Sequence, residues 1–461
     1  MGKRSAFLLF CISPFFMFAQ ASINMFRVGH WDDDNLPLAS AGNLNVQYSG
    51  CWGMAVNGHE YAIVGGARHV LIFDITNPAQ PSLKAKFEGK SEVVSREFKS
   101  YGYRVYGVSD GTTEGLMIFD FSHAPDTIIR SYYSNALFAS AHTISADTVS
   151  GRIYLNGSDI AKNGLVVLDI HDNPDTPAVL AVINNLPGAY THDSYVRGDT
   201  VYASCGFNGY YIYDFTDPTA PRVLASLPPD GGYQHNSWLS ADGHFAFCTQ
   251  EIPSGRPIHI VDLRDLANAN LETTGAFLDP MLPDGPEKAI PHNLYINANL
   301  LFDSQYEDGL LVYDISNPVV PVLVAYYDTH PQNTQYNRYF GCWGNYPWLP
   351  SGTIIACDMQ NGLQLLRLTY SDSPAQAFQI GIYPNPAHEK LIIRRQSLAA
   401  VLDSDLSLRI ITVDGRALLE QRVQGGIQET VIDLPALPAG LYLVEVRNSK
   451  GQSTTQKVVI H

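Results

Sequence analysis

The chain has 461 residues, too many for one compact core, so several domains or a repeat architecture are expected. Charged residues make up only 16%, against 26 Tyr, 37 Gly and 28 Pro, which suits short strands joined by tight turns rather than helices. The formal net charge of −16 repels phosphate backbones and argues against nucleic acid as a partner.

The chain opens with Lys3 and Arg4, an apolar run from Ala6 to Phe18, and the small-residue stretch Ala19-Gln20-Ala21. That order predicts a secretory signal peptide over residues 1–21. The run is too short to span a bilayer comfortably, and no later stretch is long and apolar enough to form a transmembrane segment. Removal of the peptide leaves Cys51, Cys205, Cys248, Cys342 and Cys357, an odd number with no CxxC, which speaks against a zinc ribbon or a thioredoxin-like centre. Cys205, Cys248 and Cys357 lie in apolar strand patterns and are expected to pack as small hydrophobes.

From residue 71 onward one phrase recurs: a short apolar strand ending in Asp, then a turn with Asn or Asp and Pro. It reads LIFDITNP at 71–78, YIYDFTDP at 211–218 and LVYDISNP at 311–318, with looser copies between them. The anchoring aspartates are Asp74, Asp120, Asp169, Asp214, Asp262 and Asp314, near the period of ~40–50 residues typical of propeller blades. Asp bonds backbone to start the turn, Pro fixes φ within it, and another strand follows. A strand pair precedes each phrase, as in HDSYV-RGD-TVYASCG, so each repeat holds about four antiparallel strands.

Inner-strand starts near Cys51, Glu97, His142, His192, His235, His292 and Cys342 predict a seven-bladed β-propeller over residues 22–370. The seventh copy lacks its turn phrase and outer strand. The segment 23–33 (INMFRVGHWDD) resembles an outer strand and is expected to close the ring, which removes exposed edges. The run GLLVYDISNPVVPVLVAYYDT resembles the LVIVP repeat. Together with YQHNSWLSADGHFAFCTQE and YFGCWGNYPWLPSGTIIACDMQNGL, it makes residues 25–370 similar to the choice-of-anchor B family. That resemblance implies an extracellular propeller held at surfaces by varied C-terminal devices, and it brings no settled activity. The chain departs from it at Gln250, before Glu251, where an acidic pair is expected.

A polar linker is expected at 371–377, followed over 378–461 by short strands that predict a small immunoglobulin-like β-sandwich. VDGR (413–416) and LPAG (437–440) read as hairpin turns. YPNPA, VDGR, LPAGLYLVEV and the closing KVVI resemble the C-terminal sorting domain of the type IX secretion system. The resemblance implies contact with that secretion machinery, export across an outer membrane, and a secreted or cell-surface destination.

His142, His192, His235 and His292 open the inner strands of four consecutive repeats, which sets four imidazoles on one arc of the channel. Asp193 and Glu251 are carboxylates placed to join them. Three or four imidazoles with a carboxylate suit zinc, copper, iron or nickel rather than calcium. A His in this register also serves a structural role by bonding a neighbouring blade's backbone. Cys51, Glu97 and Cys342 occupy the corresponding places in the other repeats. The cysteines there complete a softer site, pair with each other, or pack. Trp31-Asp32-Asp33-Asp34-Asn35 lacks the Gly and distal Glu of a calcium loop and reads as a solvated turn. Catalytic fingerprints such as GxSxG, HExxH and the Walker motif are absent from the sequence. The sequence thus favours a binding or interaction protein for a surface protein or glycan. The alternative is a metal-dependent enzyme, hydrolytic or oxidative, with His142, His192, His235, His292 and Glu251 as the metal site.

Overall fold

The computed structural model describes residues 21–41, 44–266, 269–282, 285–337, 339–369, 380–383, 387–395, 405–412, 415–424, 429–448 and 453–460. The expected signal peptide, Ala21 apart, and the expected linker at 371–377 lie outside the described residues.

The first sheet is an antiparallel meander of Tyr48–Val56, His59–Gly66, His69–Asp74 and Ser82–Glu88. The same four-stranded meander restarts at Arg96–Tyr101, Thr143–Asp147, Asp193–Arg197, Gln234–Leu239 and Asn293–Asn297. A further sheet takes Cys342–Tyr346, Ile354–Asp358 and Gly362–Leu368, and its outer strand is Met25–Trp31 from the other end of the chain. There Met25 pairs with Leu368 and Trp31 with Leu363. Ser22–Ile23 pairs instead with Tyr326 and Tyr327, on the outer strand of the preceding sheet. The first strand of each sheet packs against the first strand of the next, and Cys342–Tyr346 packs against Tyr48–Val56. The first strands therefore close a ring, and the protein is a β-propeller.

The recurring phrase does what its chemistry requires. Oδ1 of Asp74, Asp120, Asp169, Asp214, Asp262 and Asp314 accepts a hydrogen bond from the backbone N–H two residues on, at 2.7–3.0 Å in all six copies. Each turn is thus pinned at the end of its third strand. Just upstream, every pairing of third with outer strand carries a register shift, as at Ile72/Phe73, Ile212/Tyr213 and Val312/Tyr313. The Met25–Trp31 strand has one too, between Arg27 and Gly29. Such bulges sharpen the twist that lets each sheet lean on its neighbour. A Cβ on Gly29 would lie 1.8 Å from the Pro78 carbonyl oxygen, so only glycine fits where this strand crosses the first sheet's turn.

Apolar residues from facing sheets fill each gap. Tyr61, Ile63 and Ile72 meet Phe98, Val105 and Phe119 between the first and second sheets. Between the same two sheets Arg96 and Glu114, both fully buried, form an ion pair, and Arg96 Nε also donates to the Gly66 carbonyl at 3.0 Å. The five described cysteines are buried and free of disulfides, so Cys51 and Cys342 pack rather than pair.

Residues 380–460 form a three-stranded sheet (Ile380–Tyr383, Lys390–Arg395, Glu429–Asp433) and a four-stranded one (Asp405–Thr412, Ala417–Gln424, Gly440–Asn448, Ser453–Ile460). Leu391, Ile393, Leu408, Val444 and Val458 contribute to one shared core. LPAG is not a hairpin turn. The strand before it pairs with Lys390–Arg395 and the strand after it with Asp405–Thr412, so the segment crosses between sheets. Local Pro-Gly chemistry marks a change of direction but does not choose the partner strand. Among the described residues, no helix is long and apolar enough to cross a membrane.

Candidate metal centre at one mouth of the channel

His142, His192 and His292 immediately precede the inner strands of their sheets, and His235 is the second residue of its own. Equivalent places on adjacent strands bring the rings into a continuous arc. Centroids are 4.2 Å apart for His142–His192, 4.3 Å for His192–His235 and 4.2 Å for His235–His292.

The two nitrogens of each ring have different surroundings. His192 Nδ1 donates to the His235 carbonyl at 3.0 Å, and His292 Nδ1 donates to the Trp343 carbonyl at 2.6 Å. His235 Nδ1 is buried without a hydrogen-bond partner among the described residues. With Nδ1 carrying the proton, Nε2 keeps its lone pair. Ring orientation by a backbone carbonyl is the usual support of a ligating imidazole.

His192, His235 and Glu251 each offer a ligand atom, and these three atoms lie within 4.8 Å of one another. His235 Nε2 is 3.8 Å from Glu251 Oε2. Ligands about 2.1 Å from one ion at tetrahedral angles stand roughly 3.4 Å apart. The widest separation the group allows exceeds that spacing by about 1.4 Å, so the side chains must draw together to ligate one ion. Glu251 directly follows the second strand of its sheet, Phe245–Gln250. Its other oxygen, Oε1, accepts from the Tyr306 hydroxyl at 2.9 Å. Tyr306 holds φ of +38°, a backbone state bulky residues avoid, and in that state its phenol meets Glu251.

The remaining sequence candidates fall around this group. His142 pairs with a carboxylate of its own, Asp110, at 2.8 Å. His292 contacts the Tyr306 ring at 4.6 Å. Asp193 is turned to other work: it accepts from Thr143 Oγ1 at 2.9 Å and from Asn236 Nδ2 at 2.7 Å, stitching three sheets together. Glu97 is buried and accepts from Trp343 Nε1 at 2.8 Å. Asp110 and Tyr306 were missed in the sequence. The signal was the repeat register, because Asp110 follows the second strand of its sheet just as Glu251 does.

Protonation sorts the ring set into two kinds. Burial, with neighbouring imidazoles adding to it, holds His192 and His235 well below the ordinary value, and burial lowers His292 to about 3. These three are neutral at pH 7, as ligands must be. Burial alone would lower His142 too, but Asp110 outweighs it, with Glu97 and Glu251 adding to the pull, and the pKa rises. Burial raises Glu251, against the Tyr306 hydrogen bond and the charge of His142.

Family models match segments in both parts of the chain. Residues 381–461 match the family described as the secretion system C-terminal sorting domain. Residues 51–88 and 305–329 match the LVIVD repeat, and both segments contain the recurring phrase. No curated protein matches the chain. Among solved structures it is similar to the β-propeller domain of Cps50 (Swd1) from Myceliophteria thermophila, at 13% identity and a TM-score of 0.46, over 68% of this chain and 94% of that one. The sorting domain marks the chain for type IX export to the cell surface or beyond, and implies contact with that machinery.

Proposed function

We propose that this exported protein is a seven-bladed propeller, residues 22–370, that holds a transition-metal ion at one mouth of its channel. His192, His235 and Glu251 would ligate it, with His292 flanking the site. The observation that supports this most is the convergence of two neutral imidazoles, His192 oriented through Nδ1 and His235 with Nε2 3.8 Å from a carboxylate oxygen, on half-buried Glu251. Two nitrogens and an oxygen suit zinc, iron, copper or nickel and leave coordination positions open, so such an ion can bind and polarise an oxygen ligand. His142, whose pKa Asp110 raises, is then placed to donate a proton beside the site. Hydrolytic and oxidative chemistry both fit that arrangement.

Metal analysis of mature protein purified without chelator tests the reading. About one equivalent of a transition metal is expected, falling to background in the double variant His192→Ala, His235→Ala. Protein that is metal-free at neutral pH after incubation with each candidate ion contradicts it.

A second reading has its own support. The Nδ1 bonds of His192 and His292 each tie one sheet to the next, so the histidines also suit a structural role that locks blades together in a surface-binding protein for a protein or glycan ligand. In that case the two substitutions lower the melting temperature and move nothing else. The resemblance to choice-of-anchor B proteins fits either reading.

A further inference from the structure

The inner strands have a second end. Counting three residues beyond each of the four histidines reaches Ser145, Tyr195, Trp238 and Tyr295, and Tyr346 ends the strand Cys342–Tyr346 beside them. Four of the five are aromatic and pack into a plug with Trp52 and Trp348: Trp238 lies 5.0 Å from Tyr295 and 5.4 Å from Trp348, and Trp52 lies 4.9 Å from Tyr346. The third repeat has Ser145 instead, and beside it stand Ser100 and Ser194. Where these small residues replace rings, a cavity of about 400 Å³ opens against the faces of Trp52, Trp238 and Trp348. That volume lies in the range of small-ligand pockets. At about 3.3 Å per residue, this end is roughly 10 Å along the strand from the histidines.

Charge at the cavity has one sign to spare. Lys99 and Arg197 line it, and neither forms an ion pair among the described residues. Lys99 Nζ sits 4.4 Å above the Trp52 ring and donates to the Phe98 carbonyl at 3.2 Å. Arg197 reaches only the Ala241 carbonyl, at 3.5 Å. The one carboxylate in the lining, Asp147, is held by its own turn and by the backbone of the next sheet. Its Oδ1 accepts from Val149 N, and its Oδ2 accepts from Ser150 Oγ and Asp199 N. Two cations against one carboxylate leave the lining net positive, in a chain of net charge −16.

We propose that this cavity binds an anionic saccharide. The C–H face of a pyranose stacks on Trp238 and Trp348, the acid group lies between Lys99 and Arg197, and hydroxyls meet Ser100 and Ser194. The two walls require different things of one ligand, a flat apolar face and an anionic group, and a sugar acid carries both. The inference deepens the binding reading above by naming a ligand class, and it is independent of the metal.

Titration of the mature protein with glucuronate oligosaccharides, followed by tryptophan fluorescence in the presence of chelator, tests it. Saturable quenching is expected. Arg197→Gln, at an exposed position, and Lys99→Met should each weaken binding at least tenfold, and the neutral glucose oligomers should bind at least tenfold more weakly than the acidic ones. Trp348→Ala should abolish the quenching, with an unchanged melting curve for Arg197→Gln as the control for folding. Equal affinity for acidic and neutral oligomers overturns the proposal, as does the absence of quenching. Binding that survives both Arg197→Gln and Trp348→Ala overturns this site while leaving a binding role elsewhere on the surface intact.

Discussion

At the residue scale, burial decides what each ionisable group does. His292 illustrates the sign. Burial lowers its pKa to about 3, so the unfolded chain takes up a proton near 6.5 that the folded chain refuses. Its contribution to stability is whole above pH 6.5 and is lost as the pH falls from there toward 3. His292→Asn keeps a donor for the Trp343 carbonyl and removes the titration. Its urea midpoint should fall less steeply with pH across that interval than the parent's; an identical slope contradicts the assignment. Arg96 and Glu114 make a second case. Both are fully buried, so Arg96→Met leaves a carboxylate without its partner and should cost roughly 3–5 kcal/mol in denaturant unfolding. Loss under 1 kcal/mol would show that the pair is hydrated in solution. The histidine arc was legible in sequence because repeats place equivalent residues side by side. Asp110 was not, because its role appears only when the loop after a second strand is superposed on the loop that carries Glu251. Asp193 stands beside His192 in sequence as a carboxylate that could join the histidines, and its carboxylate serves the hydrogen bonds between sheets.

At the element scale, the turn phrase could be read directly, because an Asp that caps its own turn is a local event. The bulge before it could not. A register shift depends on which residue of the next strand is faced, and no single strand records that. The same limit applies to LPAG, where turn chemistry was visible and the change of sheet was not. The strand Met25–Trp31 carries the most testable consequence. It covers the edge of Gly362–Leu368, and at Gly29 its backbone touches the Pro78 carbonyl. Gly29→Val should displace it, lowering stability by about 1–3 kcal/mol and promoting aggregation through the uncovered edge. Unfolding and size-exclusion profiles matching the parent's would contradict that role.

At the scale of the whole molecule, the tail and the ring have separate tasks. The match of residues 381–461 to a secretion sorting domain explains where the chain goes and leaves chemistry to the propeller. The C-terminal strands were legible as an address because order and terminal position are properties of sequence. A chain ending at residue 369 should therefore keep the parent's metal content when purified from a heterologous host, yet fail to reach the surface of a cell with type IX export. Loss of metal binding on truncation would show that the tail completes the site. The inner strands present neutral imidazoles with Glu251 at one end, and tryptophans with two cations at the other. A ring of repeats allows this, since each inner strand contributes one residue to each mouth and the two ends diverge independently.

The central claim is that His192, His235 and Glu251 bind one ion together. Calorimetric titration of chelator-stripped mature protein with zinc at pH 7.5 tests it most directly. One equivalent should bind, with binding weakened at least a hundredfold in His235→Ala and at least tenfold in Glu251→Gln. Heats of binding that are absent, or unchanged in both variants, would contradict the account.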